Sequence, residues 1–330
     1  MSINKIYIFF LLFFGLAVYL FFKDSLAIWN DLSMMNFQFI IYGFLVNLLC
    51  VSLDFFNWMF YLKNLPSEKI FQNNDLFPLK KFLSIHLAGF SIDILPAKVG
   101  TFSRAILLNH LCHIPKRKGF AVQGSALLTD LIAAVIISSI MAFIVIDISN
   151  QQLQLLGIIL FITSIALLIG FKYQGFGLKK FAHYIFASLL KSTHQESIKA
   201  TKNQFLALFT LKNLRYTLSI KLLSWCLLGV SFALVLYAFG YSIDLQKTIL
   251  AVSVSAIIGG LSMLPGGLGT TDLSLFGFCI LWNIPTEISV LIVFSYRLIS
   301  FWYLIFVGNL ISQYLLIKHN QRLDANNHSI

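Results

Sequence analysis

Ten ionisable side chains fall within or beside long apolar runs: Asp54, His86, Asp93, Lys98, Arg104, His110, Asp130, Lys221, Asp272 and Arg297. A charge at the centre of a bilayer costs about 2.5 to 3.5 kcal/mol on insertion scales, so each is a functional candidate by default. Several crowd two related patterns, Leu95-Pro96-Ala97-Lys98-Val99-Gly100-Thr101 and Leu264-Pro265-Gly266-Gly267-Leu268-Gly269-Thr270. Asp93, Lys98 and Arg104 flank the first pattern, Asp272 follows the second, and Asp130 and Arg297 lie on the apolar spans beyond. Gly266, Gly267 and Gly269 permit positive φ and close backbone approach, and Thr270-Thr271-Asp272 reads as the start of a helix. The free N–H groups and positive dipole end of such a helix suit a phosphate or carboxylate. Thr101, Phe102 and Ser103 offer the same ahead of Arg104, while Arg104 and Arg297 supply planar guanidiniums able to grip phosphate by paired hydrogen bonds.

Plainer roles stand beside these. Asp272 is also a fitting N-cap, and Asp130 and Arg297 could form a structural ion pair between repeats. Asp54 stands near the inner end of its span, within reach of the interface; His86 and His110 read as hydrogen-bonded packing residues, and Lys221 as a snorkelling side chain. The cysteines Cys50, Cys112, Cys226 and Cys279 are scattered, without metal-site spacing, and read as small hydrophobes. No nucleotide-binding, HExxH or GxSxG pattern occurs, so neither ATP chemistry nor any metal or other cofactor is expected.

The elements that must position these residues are membrane helices. Of the 330 residues, 58% are hydrophobic and 11% charged, too little polar surface to cover a soluble globule. The net charge of +11 lies mostly between apolar runs, as cytoplasmic loops and anionic headgroups require, and it gives no reason to expect nucleic acid. Apolar runs of about 20 residues mark full spans near 4–22, 37–62, 119–146, 153–171, 217–240 and 286–316. The first is expected to be retained as a helix, having no small-residue cleavage site.

Segments 82–112 and 248–282 are broken at Pro96 and at Pro265-Gly266-Gly267, and each leads to an Ile-Pro pair, Ile114-Pro115 and Ile284-Pro285. The arm from Phe82 to Leu95 would be about 21 Å long as a helix, against a hydrocarbon core of about 30 Å. The expected fold is therefore all-α, about six full transmembrane helices plus two re-entrant helical hairpins. Two ordinary kinked helical hairpins give the same charge parity and are the alternative.

Four lysines between Lys63 and Lys81, the run Lys116-Arg117-Lys118, and eight positive charges from Lys172 to Arg215 place those connections inside. Both termini are then cytoplasmic, and the two hairpins enter from opposite faces as inverted repeats. Residues 1–317 form one membrane domain and 318–330 a polar, unstructured cytoplasmic tail; the connection 172–216 reads as an interfacial amphipathic helix or a solvated linker helix.

The second pattern, followed by Tyr296-Arg297-Leu298-Ile299-Ser300-Phe301-Trp302 and Gly308, resembles the C-terminal signature of the lysylphosphatidylglycerol synthase transmembrane-region family, also called flippase-like domain proteins. In that family a Pro-Gly-Gly-x-Gly turn precedes an acidic residue and a downstream Arg-Leu near Trp. Asp272 stands where glutamate is commoner. The family's Pro-x-x-x-Gly-Glu turn is matched by Pro96, Gly100 and Arg104, with Thr101 at the acidic position, and Asp130 is the nearest counterpart of a Glu-Arg pair on the next span. Family members couple a lipid-flipping membrane domain to a soluble aminoacyltransferase. No stretch of these residues reads as that transferase, so the resemblance implies translocation and not lysine transfer.

The leading expectation is a cell-membrane translocase of a phospholipid or lipid-linked intermediate. Arg104 and Arg297 would hold an anionic headgroup between the two half-helix N-termini, with Asp93, Asp130 and Asp272 balancing charge or binding a cationic headgroup moiety. The rivals are an integral-membrane transferase using a lipid-phosphate donor, with Asp24 or Asp31 as base, and a non-catalytic partner of a lipid- or polysaccharide-synthesis complex. Oligomerisation is open.

Overall fold

The computed structural model describes residues 35–65, 79–93, 101–145, 203–262 and 264–327, all helix and turn with no strand among them. The helices include α1 (Phe37–Lys63), α2 (Leu79–Ala88, extended by a 3-10 turn Gly89–Ile92), α3 (Ser103–Cys112), α4 (Lys116–Val145), α5 (Leu211–Ala238), α6 (Leu245–Leu261), α7 (Thr270–Leu281), α8 (Thr286–Arg297) and α9 (Tyr303–Asn327), and residues 203–208 ahead of α5 are helical as well. A five-residue π segment, Leu298–Trp302, joins α8 to α9.

Among the described residues, four stretches are long and apolar enough to cross a membrane: α1, α4, α5, and the continuous run Thr286–Leu315 through α8 and α9. At 27 residues α1 is about 40 Å long, comfortably more than the hydrocarbon thickness. The expected spans at 37–62, 119–146, 217–240 and 286–316 correspond to these. Those at 4–22 and 153–171 lie outside the described residues. Two boundaries differ from expectation. Lys116-Arg117-Lys118 is the first turn of α4, entered through Pro115, and α5 begins at Leu211, where the Thr210 hydroxyl accepts from the Asn213 N–H. The rest of the expected inner helix, up to 202, lies outside the described residues. At the far end α9 runs on through Asn327, whereas a polar tail was expected from Lys318.

Between the long helices sit two antiparallel pairs of short ones. Arg104 of α3 bonds to the His86 carbonyl of α2, and Lys81 reaches the Leu111 carbonyl, so the two arms run in opposite directions. In the second pair, Ser255 bonds to Ser274 (3.0 Å) and Ser262 to Thr270 (2.9 Å), which fixes α6 against α7 in the same sense. At 17 and 12 residues, α6 and α7 are about 25 and 18 Å long; α2 and α3, at 10 each, are about 15 Å.

Both pairs are left by the same turn. His113 (φ 56°) and Asn283 (φ 59°) take the left-handed conformation that ends a helix. The following isoleucine turns its N–H back onto the finished helix, Ile114 to Leu108 and Ile284 to Cys279. Both isoleucines are 2% exposed, and a proline then opens α4 or α8. The Ile-Pro repeat in the sequence is thus a repeated backbone structure.

Packing is reciprocal. α1 lies along α5, running antiparallel: Asn36 N–H donates to the Ala238 carbonyl at one end, and Tyr61 meets Thr217 at the other. α4 lies against α6 of the second hairpin, while α9 lies against α2 and its 3-10 extension in the first. Small residues allow these approaches, as in membrane bundles generally. A Cβ on Gly308 would stand 2.7 Å from the Leu87 carbonyl oxygen, and one on Gly229 would stand 2.7 Å from the Ile249 Cα. One apolar cluster gathers Trp58, Tyr61, Ile85 and Leu108 around the first hairpin, and another gathers Phe232, Val235, Leu275 and Ile292 around the second.

Candidate functional site

The Pro265-Gly266-Gly267 turn joining α6 to α7 works because its glycines take positive φ, 60° at Gly266, 66° at Gly267 and 81° at Gly269. α7 then starts at Thr270, and the Asp272 carboxylate reaches back to accept from the Gly269 N–H at 2.9 Å. Its other oxygen pairs with Arg297 Nε at 2.8 Å. Arg297 also donates from Nη2 to the Gly266 carbonyl at 3.1 Å and lies over the Phe301 ring, 4.3 Å from its centre. The π segment that follows turns Phe301 back against Gly266, where a Cβ would meet the ring at 2.5 Å. Arg297 therefore locks the turn to the next span.

Arg297 is thus engaged by Asp272, the Gly266 carbonyl and Phe301. Asp272 fills the space in front of the α7 N-terminus, so that dipole end already faces a carboxylate.

Arg104 is placed differently. It is 5% exposed, its Nε donates to the His86 carbonyl at 3.0 Å, and its guanidinium lies 4.5 Å over the Phe90 ring. Nη2 is buried with no hydrogen-bond partner among the described residues. α3 carries it from Ser103 onward, immediately after Thr101, which is 9% exposed. Pro96, Lys98 and Gly100, expected at this turn, lie outside the described residues.

A third charged group joins three long helices. Lys221 of α5, 7% exposed, contacts Asp54 of α1 at 2.6 Å and Asp130 of α4 at 3.1 Å. Burying an ammonium is tolerable only with such partners. Lys221 is thus no snorkelling residue, Asp54 does not reach for the interface, and Asp130 pairs with Lys221 where Arg297 was the expected partner.

These groups surround one cavity of about 310 Å³. Both hairpins contribute to its wall: Asp93, Thr101 and Arg104 from the first, Gly259, Gly260, Gly266, Gly267 and Thr271 from the second. Asp54, Asp130, Lys221 and Arg297 complete the charged part of the lining. Gly269, Thr270 and Asp272 stand behind it in the turn, and Pro265 opens that turn. Asp54, Asp93 and Asp130 balance Arg104, Lys221 and Arg297 within the lining. Among the described residues no group of three metal-ligating side chains occurs.

Sequence reading passed over Asp54 and Lys221 as site residues, and Asn57 and Gln123 altogether. Asn57 is 0% and Gln123 3% exposed, and both line the cavity. One signal was available: Asp54 and Asn57 are three apart, and Gln123 and Asp130 seven apart, so each pair shares a helix face. His86, 2% exposed, is packed among Phe55, Trp58 and Phe90 rings, and neither ring nitrogen has a hydrogen-bond partner among the described residues.

Comparison with known proteins agrees with the architecture. A UPF0104 membrane protein of Methanothermobacter thermautotrophicus (strain ATCC 29096 / DSM 1053 / JCM 10044 / NBRC 100330 / Delta H) is 32% identical over 93 residues, a match spanning 28% of each chain. No solved structure matches. The family described as "Lysylphosphatidylglycerol synthase TM region" matches residues 6–308, which include both hairpins and every charged residue of the cavity. With its apolar spans and that match over most of its length, the chain is a multi-pass membrane protein that belongs to the lysylphosphatidylglycerol synthase transmembrane-region family.

Proposed function

We propose that this protein translocates a membrane phospholipid or a lipid-linked intermediate across the cell membrane. The headgroup passes through the cavity between the two hairpins while the acyl chains stay in lipid. The observation that carries this reading is that both hairpins and three long helices bring ionic and polar side chains, most of them buried, to one cavity in an otherwise apolar bundle. Such groups are expensive in a membrane and are retained where something polar must pass.

Two features favour an inverted repeat. The helices preceding each hairpin, α1 and α5, run antiparallel, and each half's last span leans on the other half's hairpin. Arms of about 15 to 25 Å favour re-entrant hairpins over crossing pairs. With the basic connections inside, both termini are cytoplasmic. In this reading Arg104 supplies the phosphate contact, Arg297 and Asp272 hold the second hairpin turn, and Lys221 ties α1, α4 and α5 into a body against which the hairpins rock.

The test is movement of acyl-labelled phospholipid in proteoliposomes, read by dithionite quenching. Purified protein should accelerate loss of inner-leaflet fluorescence, and Arg104→Gln should slow it at least about tenfold, the loss of one charged hydrogen bond. Equal rates with and without protein, or with and without Arg104, would refute the proposal.

A further inference from the structure

Beside Arg104 the cavity holds a group of uncharged polar side chains whose hydrogen bonds are unmet. Asn57 and Trp58 come from α1, His86 from α2 and Gln123 from α4, and all line the same space. Each is at most 3% exposed. Both amide atoms of Asn57, both ring nitrogens of His86, Gln123 Oε1, Trp58 Nε1 and Arg104 Nη2 have no partner among the described residues. Buried polar atoms in native folds are nearly always satisfied, so a cluster of orphans from four elements around one cavity marks what enters it.

The kind of group required follows from the atoms. Trp58 Nε1 and Arg104 Nη2 only donate, whereas Asn57 Oδ1 and Gln123 Oε1 only accept, and neutral imidazole does one of each. A bare phosphate offers no donor to the two amide oxygens. An ammonium carried on a phosphodiester could donate to the amide oxygens, but it would remain a charge among neutral side chains, because Asp54 and Asp130 already share Lys221. Hydroxyls both donate and accept. The Trp58 indole, which lines the cavity 5.4 Å from the His86 ring, suits the C–H face of a polyol or sugar.

We infer that this polar end of the cavity selects lipids whose headgroup is an uncharged polyol or sugar carried on a phosphodiester, the phosphate meeting Arg104 and the hydroxyls meeting Asn57, His86 and Gln123. The inference rests on the translocation reading and names its substrate class.

The experiment compares four acyl-labelled lipids in proteoliposomes, phosphatidylglycerol, phosphatidylinositol, phosphatidylethanolamine and phosphatidylcholine, alongside melting of the detergent-solubilised protein with inositol 1-phosphate. The first two lipids should move roughly tenfold faster than the amine-bearing pair, a difference equal to one or two hydrogen bonds. Gln123→Met should erase that preference, slowing the first two lipids more than the amine-bearing pair. The wild-type ranking alone remains decisive if the variant fails to fold. Movement of all four at equal rates would overturn the headgroup assignment and leave translocation standing. If no lipid moves but inositol 1-phosphate raises the melting temperature, and does not in Gln123→Met, the polyol-phosphate site stands and translocation falls. Neither movement nor a shift overturns both.

Discussion

Removing the Lys221 ammonium leaves Asp54 and Asp130 facing each other inside the bundle, and the size of the effect follows from the two contacts. The carboxylate oxygens touch Lys221 at 2.6 and 3.1 Å, so they stand no farther apart than those contacts laid end to end, about 5.7 Å. At an effective dielectric of about 20, two like charges at that separation repel by about 3 kcal/mol. That is the least Lys221→Met should cost, and it falls at the lower edge of the 3 to 5 kcal/mol typical when one partner of a buried pair is removed. The methionine keeps the side chain's length, so packing loss stays small. Thermal unfolding in detergent, followed by tryptophan fluorescence, should show a clear drop for Lys221→Met. Adding Asp54→Asn should recover most of it, because one carboxylate no longer has a like-charged neighbour. A single variant as stable as wild type, or a double variant no more stable than the single, would refute the reasoning.

Other perturbations separate further parts of the account. Gly266→Ala must hold φ near 60° and push its Cβ into Phe301, and should cost more than Gly269→Ala, where the strained φ of 81° is met by open space; a difference of at least about 1 kcal/mol in unfolding free energy is expected. Ser255→Cys with Ser274→Cys should form a disulfide under mild oxidation, seen as a gel shift, since the hydroxyls are 3.0 Å apart. Gly308→Val should part α9 from α2 at the Leu87 carbonyl and lower both melting temperature and lipid movement. Arg297→Lys keeps the charge but loses the two-point hold on Asp272 and Gly266, and should destabilise the second hairpin by about 1 to 3 kcal/mol.

The hairpins were legible because proline and glycine break apolar runs in a way few other residues can. Pro265, Gly266, Gly267 and Gly269 specify a turn by backbone geometry alone, and the two Ile-Pro pairs mark matched exits. The long spans followed from hydropathy to within a few residues, except where a basic first turn, Lys116-Arg117-Lys118, read as loop.

Pairing was not legible. Nothing local says that Lys221 meets Asp54 and Asp130, since those partners come from helices brought side by side only by tertiary packing. Arg297 and Arg104 are alike in the sequence, yet one pairs with Asp272 while Nη2 of the other has no hydrogen-bond partner among the described residues. Asn57 and Gln123 attracted no notice because an amide in an apolar run is a weaker signal than a charge, although buried it demands a partner just as firmly.

The central claim, that the cavity between the hairpins is a route through the membrane, is tested most directly at Gly260. This residue lines the cavity, and a Cβ there would meet nothing within 4 Å. In a variant with Cys50, Cys112, Cys226 and Cys279 replaced, Gly260→Cys should react with a membrane-impermeant thiol reagent in right-side-out vesicles and in inverted ones, as a site exposed alternately to each face requires. Reaction from one face only, or from neither, would contradict it.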